Sequence, residues 1–382
     1  MLRVLIFTCR QSGQRMNYYN ALGKLCDLTV VAERRTPDDI LEAYNVRPEN
    51  YKVIYMRGIP MFGYMALCPG VLNVLKGHKE YDVIIVEQYS TPTAAIAINY
   101  LSRHKIPFVI SADSGFANGG ERSYKRRVKA ALISKASLWI TGGKASVDYL
   151  AYYGANPART RIFKFSPYSR EDQPEKQTSD EERNAVKKEL GIKETKVIVS
   201  VGQQIHRKGF DVLLKAMQRL KYVDESVGLY ILGGAPNEEC QTILDNMDGS
   251  NIHFPGLVSK DTLKKYYKAS DIFVFPTRYD IWGYPVNEAM SFGLPVITTY
   301  QCNAGIELLE EGVNGYLVEA DDIAALTDRM QELLNDAQKC AEMGKANYLK
   351  SKEYNSEKMA ESVYGIISEF SKEISAGTAG KK

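Results

Sequence analysis

The 382-residue sequence lacks several patterns that mark common classes of protein. None of its apolar runs approaches the ~18 residues that a membrane-spanning helix needs. Its six cysteines include no C-x-x-C pair and its four histidines no H-x-x-x-H pair, so we expect reduced thiols in a cytoplasmic protein and no metal site. The formal net charge of +3 is too small to predict a nucleic acid as partner.

Short apolar runs alternate with amphipathic helical segments along the whole chain. The runs are continuously apolar, as strands are in a parallel sheet that helices cover on both faces. A polar, proline-containing start of 169–190 indicates a linker that leads into a helix. The pattern predicts an α/β protein with two doubly wound domains, 1–168 and 191–355. A closing helix over about 356–374 and a disordered tail at 375–382 complete the layout.

Loops that follow strands carry the functional signal, because ligands of open α/β sheets bind beyond the carboxyl ends of the strands. Neither half has G-x-G-x-x-G after its first strand, which argues against a nicotinamide or flavin enzyme. In "VGQQIHRKGFDVLLKAM", Arg207 and Lys208 stand between a strand and a helix. Two fixed cations beside the N–H groups of a helix start suit a diphosphate. A solvated pair of surface cations is the alternative.

Two carboxylates flank a helix start in "PTRYDIWGYPVNEAMSFGLPVITT". Pro285 suits the first helical turn and Gly293 the helix end. Asp280 and Glu288 then lie on either side of backbone amides that could hold phosphate. Carboxylates accept hydroxyl groups, so the pair predicts a ligand with sugar, diphosphate and ribose in sequence. The alternatives are an ordinary turn residue at 280 and compensation of helix charge at 288.

Five motifs follow one another along the chain, "VGQQIHRKGFDVLLKA", "LGGA", "FPGLVSKDTLKKYYKASDIFVFPT", "DIWGYPVNEAMSFGLPVIT" and "AGIELLEEGVNGYLV". Together they resemble the retaining glycosyltransferases of family 4. The resemblance is strong over 196–335 and weaker over 1–168, and it implies the GT-B fold, two Rossmann-like domains with a cleft between them. It implies that the second domain binds a nucleotide sugar and the first binds the acceptor.

The resemblance assigns roles to individual residues of the second domain. Glu288 would hold the ribose hydroxyls, and Asp280, where the family usually has Glu, would contact the hydroxyls of the donor sugar. Lys208 would neutralise the diphosphate. The family has an arginine where this sequence has Gln203, and Arg207 would supply the positive charge that is missing there. Further donor-binding positions implied by the resemblance are Gly202, Leu257, Val258, Trp282, Gly283 and Tyr284. For Trp282, core packing is the alternative.

In the first domain, Asp113 stands near the place of a family histidine. It would accept a hydroxyl of the donor sugar or stabilise positive charge at the anomeric carbon, unless it is a helix cap. Gly13 is what remains of the family's glycine-rich acceptor loop. The segment 121–135, "ERSYKRRVKAALISK", predicts either a basic helix that contacts an anionic membrane surface or a solvated helix with a core-facing stripe.

These observations predict a retaining glycosyltransferase. It would move a sugar from a nucleotide-diphosphate sugar to a glycan or lipid-linked acceptor in cell-surface polysaccharide synthesis. No D-x-D motif follows a strand, so we expect transfer without a metal ion, and no cofactor besides the nucleotide-sugar co-substrate. Peripheral contact with the inner face of the plasma membrane is a further expectation. The alternatives are a sugar-nucleotide epimerase or phosphorylase of the same fold, and a non-catalytic protein that binds nucleotide sugars.

Overall fold

A computed structural model describes residues 1–37, 46–61, 65–112, 115–117, 121–166, 168–221 and 226–379. The chain forms two compact units, the first made of Met1–Arg170 with Tyr354–Lys382 and the second of Glu171–Glu353. Each unit is built on one parallel sheet with helices between the strands. The predicted α/β class with two doubly wound sheets is therefore confirmed.

The first unit contains a seven-stranded parallel sheet and a small antiparallel pair. Its strands are β1 (Arg3–Thr8), β2 (Asp27–Ala32), β3 (Lys52–Tyr55), β4 (Ile59–Pro60), β5 (Ala66–Leu67), β6 (Val83–Glu87), β7 (Val109–Ala112), β8 (Leu138–Thr141) and β9 (Thr160–Ile162). Its helices before the crossover to the second unit are α1 (Gly13–Gly23), α2 (Val71–Lys76), α3 (Pro92–Arg103), α4 (Ser123–Ile133) and α5 (Lys144–Tyr152). The seven strands run in the order β3-β2-β1-β6-β7-β8-β9.

The core of the first unit explains why these strands are apolar throughout. Leu5, Ile84 and Ile110 of the central strands pack with Ile98 of α3, and all four are buried. The chain leaves β1 toward β2 on one side and later returns on the other side through β6. The carboxyl ends of β1 and β6 therefore form a topological switch point, where open α/β sheets bind their ligands.

The second unit repeats this architecture with six parallel strands. They are β10 (Lys196–Val201), β11 (Val227–Leu232), β12 (Ile252–Gly256), β13 (Ile272–Phe275), β14 (Val296–Thr299) and β15 (Gly315–Val318), in the order β12-β11-β10-β13-β14-β15. The switch point lies between β10 and β13. The helices are α6 (Asp180–Glu189), α7 (Phe210–Lys221), α8 (Glu238–Leu244), α9 (Lys260–Ala269), α10 (Tyr284–Ser291), α11 (Asn303–Leu308), α12 (Ile323–Asn335) and α13 (Ala337–Ser351).

The last helix, α14 (Ser356–Ala379), returns to the first unit and packs on α1. Its buried face includes Val363, Ile367 and Phe370. The structure continues this helix through 375–379, where the sequence predicted the start of a disordered tail. Each residue added to an existing helix gains a backbone hydrogen bond without a new nucleation cost, so small residues extend it readily. Residues 380–382 lie outside the described part of the chain.

All six cysteines are free thiols, as expected. Five are buried and Cys340 is half-buried. Burial raises the pKa of every one of these thiols, in the case of Cys302 to about 12. Among the described residues, none of the helices combines the length and the apolar character that crossing a membrane requires.

Candidate functional site

A tight glycine turn presents two cations at the switch point of the second unit. After β10, the backbone N–H of Gly202 donates to the carbonyl of Leu232 at 2.9 Å, and a short 3-10 turn covers His206–Lys208. Gly209 closes this turn with a φ of +69°, and a Cβ there would lie 2.0 Å from the carbonyl oxygen of Pro276. Only glycine fits this position, so the turn that carries the cations depends on it.

Arg207, Lys208 and Asp280 meet in one cluster. The Nζ of Lys208 lies 2.5 Å from Oδ2 of Asp280, and a guanidinium nitrogen of Arg207 lies 3.2 Å from the same oxygen. Lys208 is buried, and its Nζ also lies 4.7 Å from the centre of the Phe275 ring, where a cation is attracted. Oδ1 of Asp280 accepts a bond from the backbone N–H of Trp282 at 3.3 Å. The two cations thus outnumber the carboxylate between them.

The entrance of α10 lies directly after this cluster. Gly283 has a φ of +102°, and a Cβ there would lie 2.5 Å from the Sγ of Cys302. Tyr284 begins the helix, whose first turn has no acidic residue and no side-chain cap. The partial positive charge of this helix start favours an anion, although Pro285 has no N–H and the N–H of Val286 already donates to the carbonyl of Gly283 at 2.9 Å.

Trp282 supports this loop from below. Its side chain is buried, and its Nε1–H donates to Oδ1 of Asn287 at 2.6 Å. In this structure Trp282 packs at the base of the loop, as in the packing alternative raised by the sequence. Contact between its ring and a bound ligand stays a prediction.

Glu288 has a separate set of partners from Asp280. Its Oε2 accepts a hydrogen bond from the hydroxyl of Tyr267 at 2.9 Å, and the Tyr267 ring stacks on Phe292. Loss of solvation raises the pKa of Glu288 to about 7, and the bond from Tyr267 opposes this shift. The carboxylate is therefore costly to keep charged without a hydrogen-bonding ligand.

The other predicted positions of the second unit follow the carboxyl ends of β10 and β12. Gln203 is exposed in the loop after β10, and Gly202 approaches the β11 end so closely that a Cβ on Gly233 would lie 2.2 Å from its carbonyl oxygen. Leu257 is 87% exposed and Val258 half-buried, directly after β12.

The two predicted positions of the first unit have different outcomes. Asp113 lies outside the residues that the structure describes, so its role stays a prediction. Gly13 is buried and begins α1, whose N-cap Ser12 accepts a bond from the N–H of Arg15 at 3.2 Å. The glycine therefore stands at a helix N-terminus beyond the carboxyl end of β1.

Sequence reasoning missed three supporting residues of the second unit. The hydroxyl of Tyr267, on α9, donates to Glu288. The ring of Phe275, at the end of β13, contacts the ammonium group of Lys208. Asn287, on α10, accepts from the indole of Trp282. The sequence could have indicated Phe275, since this residue ends the strand that precedes the loop of Asp280. Tyr267 and Asn287 carried no such signal, because each looks like an ordinary helix residue until the fold places it.

His206, Asp211 and Glu239 bring potential metal-ligand atoms within 4.8 Å of one another. Arg278, however, donates two bonds of 2.8 Å to the carboxylate of Asp211, and a third of 2.6 Å to the carbonyl of His206. The guanidinium occupies the carboxylate that a metal would need. We therefore assign this cluster to an ion-pair network that fixes the loop after β10.

Comparison with known families gives a match in the second unit. The model of the family described as "Glycosyl transferases group 1" matches residues 182–350, which lie within this unit. These residues are thus similar to the group 1 glycosyl transferases, and the resemblance inferred from the motifs is confirmed at that level. Membership of family 4 stays a prediction.

Relatives with curated descriptions match about half of this chain. An uncharacterized glycosyltransferase of Haemophilus influenzae is 33% identical over 188 residues, 47% of this chain and 51% of the relative. A GDP-mannose-dependent monoacylated alpha-(1-6)-phosphatidylinositol monomannoside mannosyltransferase of Corynebacterium glutamicum is 27% identical over 198 residues, 50% of this chain and 49% of the relative. The chain therefore matches about half the length of each.

A solved structure shares the fold over almost the whole chain. Anabaena Alr3699/HepE in complex with UDP superimposes with a TM-score of 0.78 at 19% identity, covering 96% of this chain and all of that one. Together with the two parallel sheets, this likeness confirms the predicted GT-B fold.

Proposed function

We propose that this protein is a retaining glycosyltransferase that moves a sugar from a nucleoside-diphosphate sugar to an acceptor hydroxyl in the synthesis of a cell-surface glycan. The observation that carries the proposal is the cluster at the switch point of the second unit. There Arg207 and Lys208 share the carboxylate of Asp280 beside the N-terminus of α10, which no side chain caps. The group 1 domain over 182–350 supports it.

The charges of the cluster suggest how the donor lies. The diphosphate lies against Lys208, Arg207 and the N-terminus of α10, because fixed cations and the partial positive charge of a helix start together favour an anion. Asp280 faces the sugar, whose hydroxyls it accepts, and Glu288 accepts those of the ribose. Leu257 offers an exposed apolar surface to the base at the end of β12.

The proposed transfer breaks the bond between the anomeric carbon and the diphosphate oxygen, and the electron pair stays on that oxygen. Lys208, Arg207 and the amides of α10 stabilise the departing charge, each contact contributing about 10²-fold or more to the rate. The acceptor oxygen attacks from the same face and its proton passes to the leaving phosphate, which retains the anomeric configuration. We propose that these fixed positive groups do the work without a metal ion.

The test compares donor turnover by the native chain and by Glu288→Gln. Purified chain is incubated with UDP-, GDP- and ADP-sugars, and release of nucleoside diphosphate is followed. We expect one donor to be consumed, and the substitution to reduce its turnover by about 10²-fold or more. Glu189→Gln is the control, since that exposed side chain pairs with Lys265 on the helical surface. Unchanged turnover in Glu288→Gln would exclude the proposal.

Donor without acceptor separates the proposal from its alternatives. A transferase hydrolyses the donor slowly or leaves it intact until an acceptor is added. A new sugar or an epimer detected by NMR without acceptor would instead identify an epimerase. Tight nucleotide binding with no turnover under any condition would identify a non-catalytic binding protein.

We also propose that α4 contacts an anionic membrane from the cytoplasmic side, where a lipid-linked acceptor would be reached. The exposed side chains of Lys125, Arg126 and Arg127 lie beside Tyr124 and Val128, which are 56% and 57% exposed. Apolar side chains next to cations suit a surface with anionic headgroups, which attracts each cation by about 1 kcal/mol.

Co-sedimentation with vesicles tests this contact. The chain should pellet with vesicles rich in phosphatidylglycerol, and not with phosphatidylcholine alone. Lys125→Gln/Arg127→Gln should weaken the pelleting, whereas Lys79→Gln/Arg103→Gln, an equal change of charge outside α4, should not. Equal pelleting of both variants would exclude α4 as the contact.

A further inference from the structure

Gln204, in the loop after β10, has a side-chain amide without a hydrogen-bond partner. The N–H of Ile205 donates to the carbonyl of Gln203 at 2.8 Å, which makes a tight turn centred on Gln204. The residue as a whole is half-buried, but its Oε1 and Nε2 are both shielded from solvent. Neither atom has a partner in the part of the chain that the structure describes. A shielded amide that is left unpaired destabilises the folded chain, so a ligand that pairs with it gains affinity.

Below this amide, the ends of β10, β11 and β12 form a continuous floor of glycine backbone. The N–H of Gly202 donates to the carbonyl of Leu232 at 2.9 Å, and the N–H of Gly233 donates to the carbonyl of Gly256 at 3.0 Å. These bonds join the three strand ends side by side. The three glycines add no side chain to this edge, so a ligand can approach the backbone closely.

Lys208 and Gln204 lie over neighbouring parts of this floor. A Cβ on Gly202 would lie 3.5 Å from Cδ and Cε of Lys208, so the stem of the lysine passes over the end of β10. A Cβ on Gly234 would lie 3.4 Å from Cγ of Gln204. Apart from the chain neighbours of Gly234, no other heavy atom of the described residues lies within 4 Å of that position. The glutamine therefore stands beside open space just after β11, about one strand spacing of 4.8 Å from β10.

This position lies on the path of the proposed donor, whose diphosphate contacts Lys208 and whose base lies at Leu257, just after β12. Since β11 separates β10 from β12, the nucleoside crosses the end of β11, where Gln204 stands. An amide both donates and accepts hydrogen bonds, and so does the Watson–Crick edge of every nucleobase. A phosphate only accepts, so it would pair with Nε2 and leave Oε1 unpaired. The base is therefore the better partner.

We propose that Gln204 hydrogen-bonds the base of the nucleoside diphosphate and determines whether the protein prefers a purine or a pyrimidine. The inference rests on the proposed function, which places a nucleotide sugar in this unit, and it adds the residue that selects the base. Purines and pyrimidines carry their hydrogen-bonding edges at different distances from the ribose. One glutamine therefore pairs fully with one class and stays unpaired with the other, which lowers the affinity for the second class.

Calorimetric titration of the full chain with UDP, GDP and ADP tests this role. The native chain should prefer one class of base, and Gln204→Leu should weaken binding of the preferred nucleotide by about tenfold or more. The affinities for purine and pyrimidine nucleotides should then lie closer together by the same factor. Inorganic pyrophosphate, which has no base, should bind the native chain and Gln204→Leu equally. Gln338→Leu is the matched control, because that exposed amide pairs with Glu342 along α13.

Thermal unfolding without nucleotide distinguishes this role from a structural one. An unpaired amide contributes no hydrogen bond to the fold, so Gln204→Leu should melt at least as high as the native chain. A structural glutamine would instead lower the melting temperature on substitution and weaken pyrophosphate and nucleotide binding alike. Gln204→Ala gives the same comparison if leucine does not fit the loop.

Three results would overturn the inference. They are equal affinity of the native chain for all three nucleotides, an unchanged preference in Gln204→Leu, and equal weakening of pyrophosphate and nucleotide binding in that variant. Failure of the proposed function looks different. A chain that has a Gln204-dependent preference among nucleotides but consumes no donor loses the proposed function and keeps the inference. A chain that consumes a donor with a preference independent of Gln204 does the reverse.

Discussion

At the scale of single residues, the two carboxylate oxygens of Asp280 make different contacts. One oxygen holds Lys208 and Arg207, and the other accepts from the N–H of Trp282. We predict that Asp280→Asn binds nucleoside diphosphate at least as tightly as the native chain, because the cluster gains positive charge. Turnover should fall by about 10²-fold, because the sugar loses its charged acceptor. Calorimetry and donor turnover measure the two effects separately.

The control for this prediction is Asp280→Glu, which keeps the charge and lengthens the side chain. It should retain activity and change the preference among donor sugars. Equal loss of binding and turnover in Asp280→Asn would show that Asp280 acts on the cations alone and makes no contact with the sugar.

At high pH, the ionised side chain of Glu288 should lower the stability of the folded chain. Its pKa is raised to about 7 by burial, so the folded state binds its proton more tightly than the unfolded state does. The stability that the protonated group contributes is present below the unfolded pKa of about 4.3 and is lost as the pH rises through 7. Glu288→Gln should therefore melt about 2–4 °C higher at pH ~8 and little differently at pH ~4.

Thermal unfolding at the two pH values checks this prediction, with Glu189→Gln as the exposed control. An equal effect of Glu288→Gln at both pH values would contradict the raised pKa. The carboxylate that would bind the ribose therefore destabilises the folded chain when no ligand is bound.

The sequence allowed the main charged residues of the second unit to be named, but not their neighbours. Asp280 and Glu288 were found because they flank a helix start that proline and glycine signals mark. Tyr267 was not found, since its contact with Glu288 depends on how α9 packs beside α10. Spacing along one element is readable, whereas contacts between elements need the fold.

At the scale of elements, the entrance of α10 depends on one backbone conformation. Gly283 has a φ of +102°, and an added Cβ would lie 2.5 Å from the Sγ of Cys302. We predict that Gly283→Ala lowers stability by about 1 kcal/mol or more and weakens nucleotide binding. Gly70→Ala is the matched control, because a Cβ there meets nothing within 4 Å.

Thermal unfolding and nucleotide titration of the two alanine variants provide the measurement. If Gly283→Ala bound nucleotide with native affinity, the geometry of this entrance would be irrelevant to the donor. The sequence predicted a helix near 285–292, and the structure begins it at Tyr284. The sequence could not predict the left-handed conformation of Gly283 before this helix, because its pattern does not distinguish this glycine from one in an ordinary turn.

At the scale of the whole molecule, the two units should respond differently to nucleotide. A ligand at about 100 times its Kd stabilises the state that binds it by about 2.7 kcal/mol. We predict that hydrogen exchange slows most in α10 and in the loop after β10, and little in β8 and β9. Exchange measured by mass spectrometry with and without the preferred nucleoside diphosphate checks this. Greatest protection in the first unit would contradict the assignment of the donor site.

The alternation of strands and helices was enough to predict two parallel sheets. Which residues meet at an edge was not predictable, because register joins residues that are distant in the chain. Thr8, Ala32 and Tyr55 fall in three separate segments of sequence, and only the pairing of β1, β2 and β3 brings them into register.

The buried thiols make the chain well suited to site-specific labelling. Thiolates rather than thiols react with maleimides, and burial holds the pKa of all six cysteines above its usual range. A cysteine introduced at an exposed surface position would therefore react first, without removal of the native ones. One fluorophore attached in this way to the second unit would then report nucleotide binding, while Cys302 stays unmodified beside Gly283.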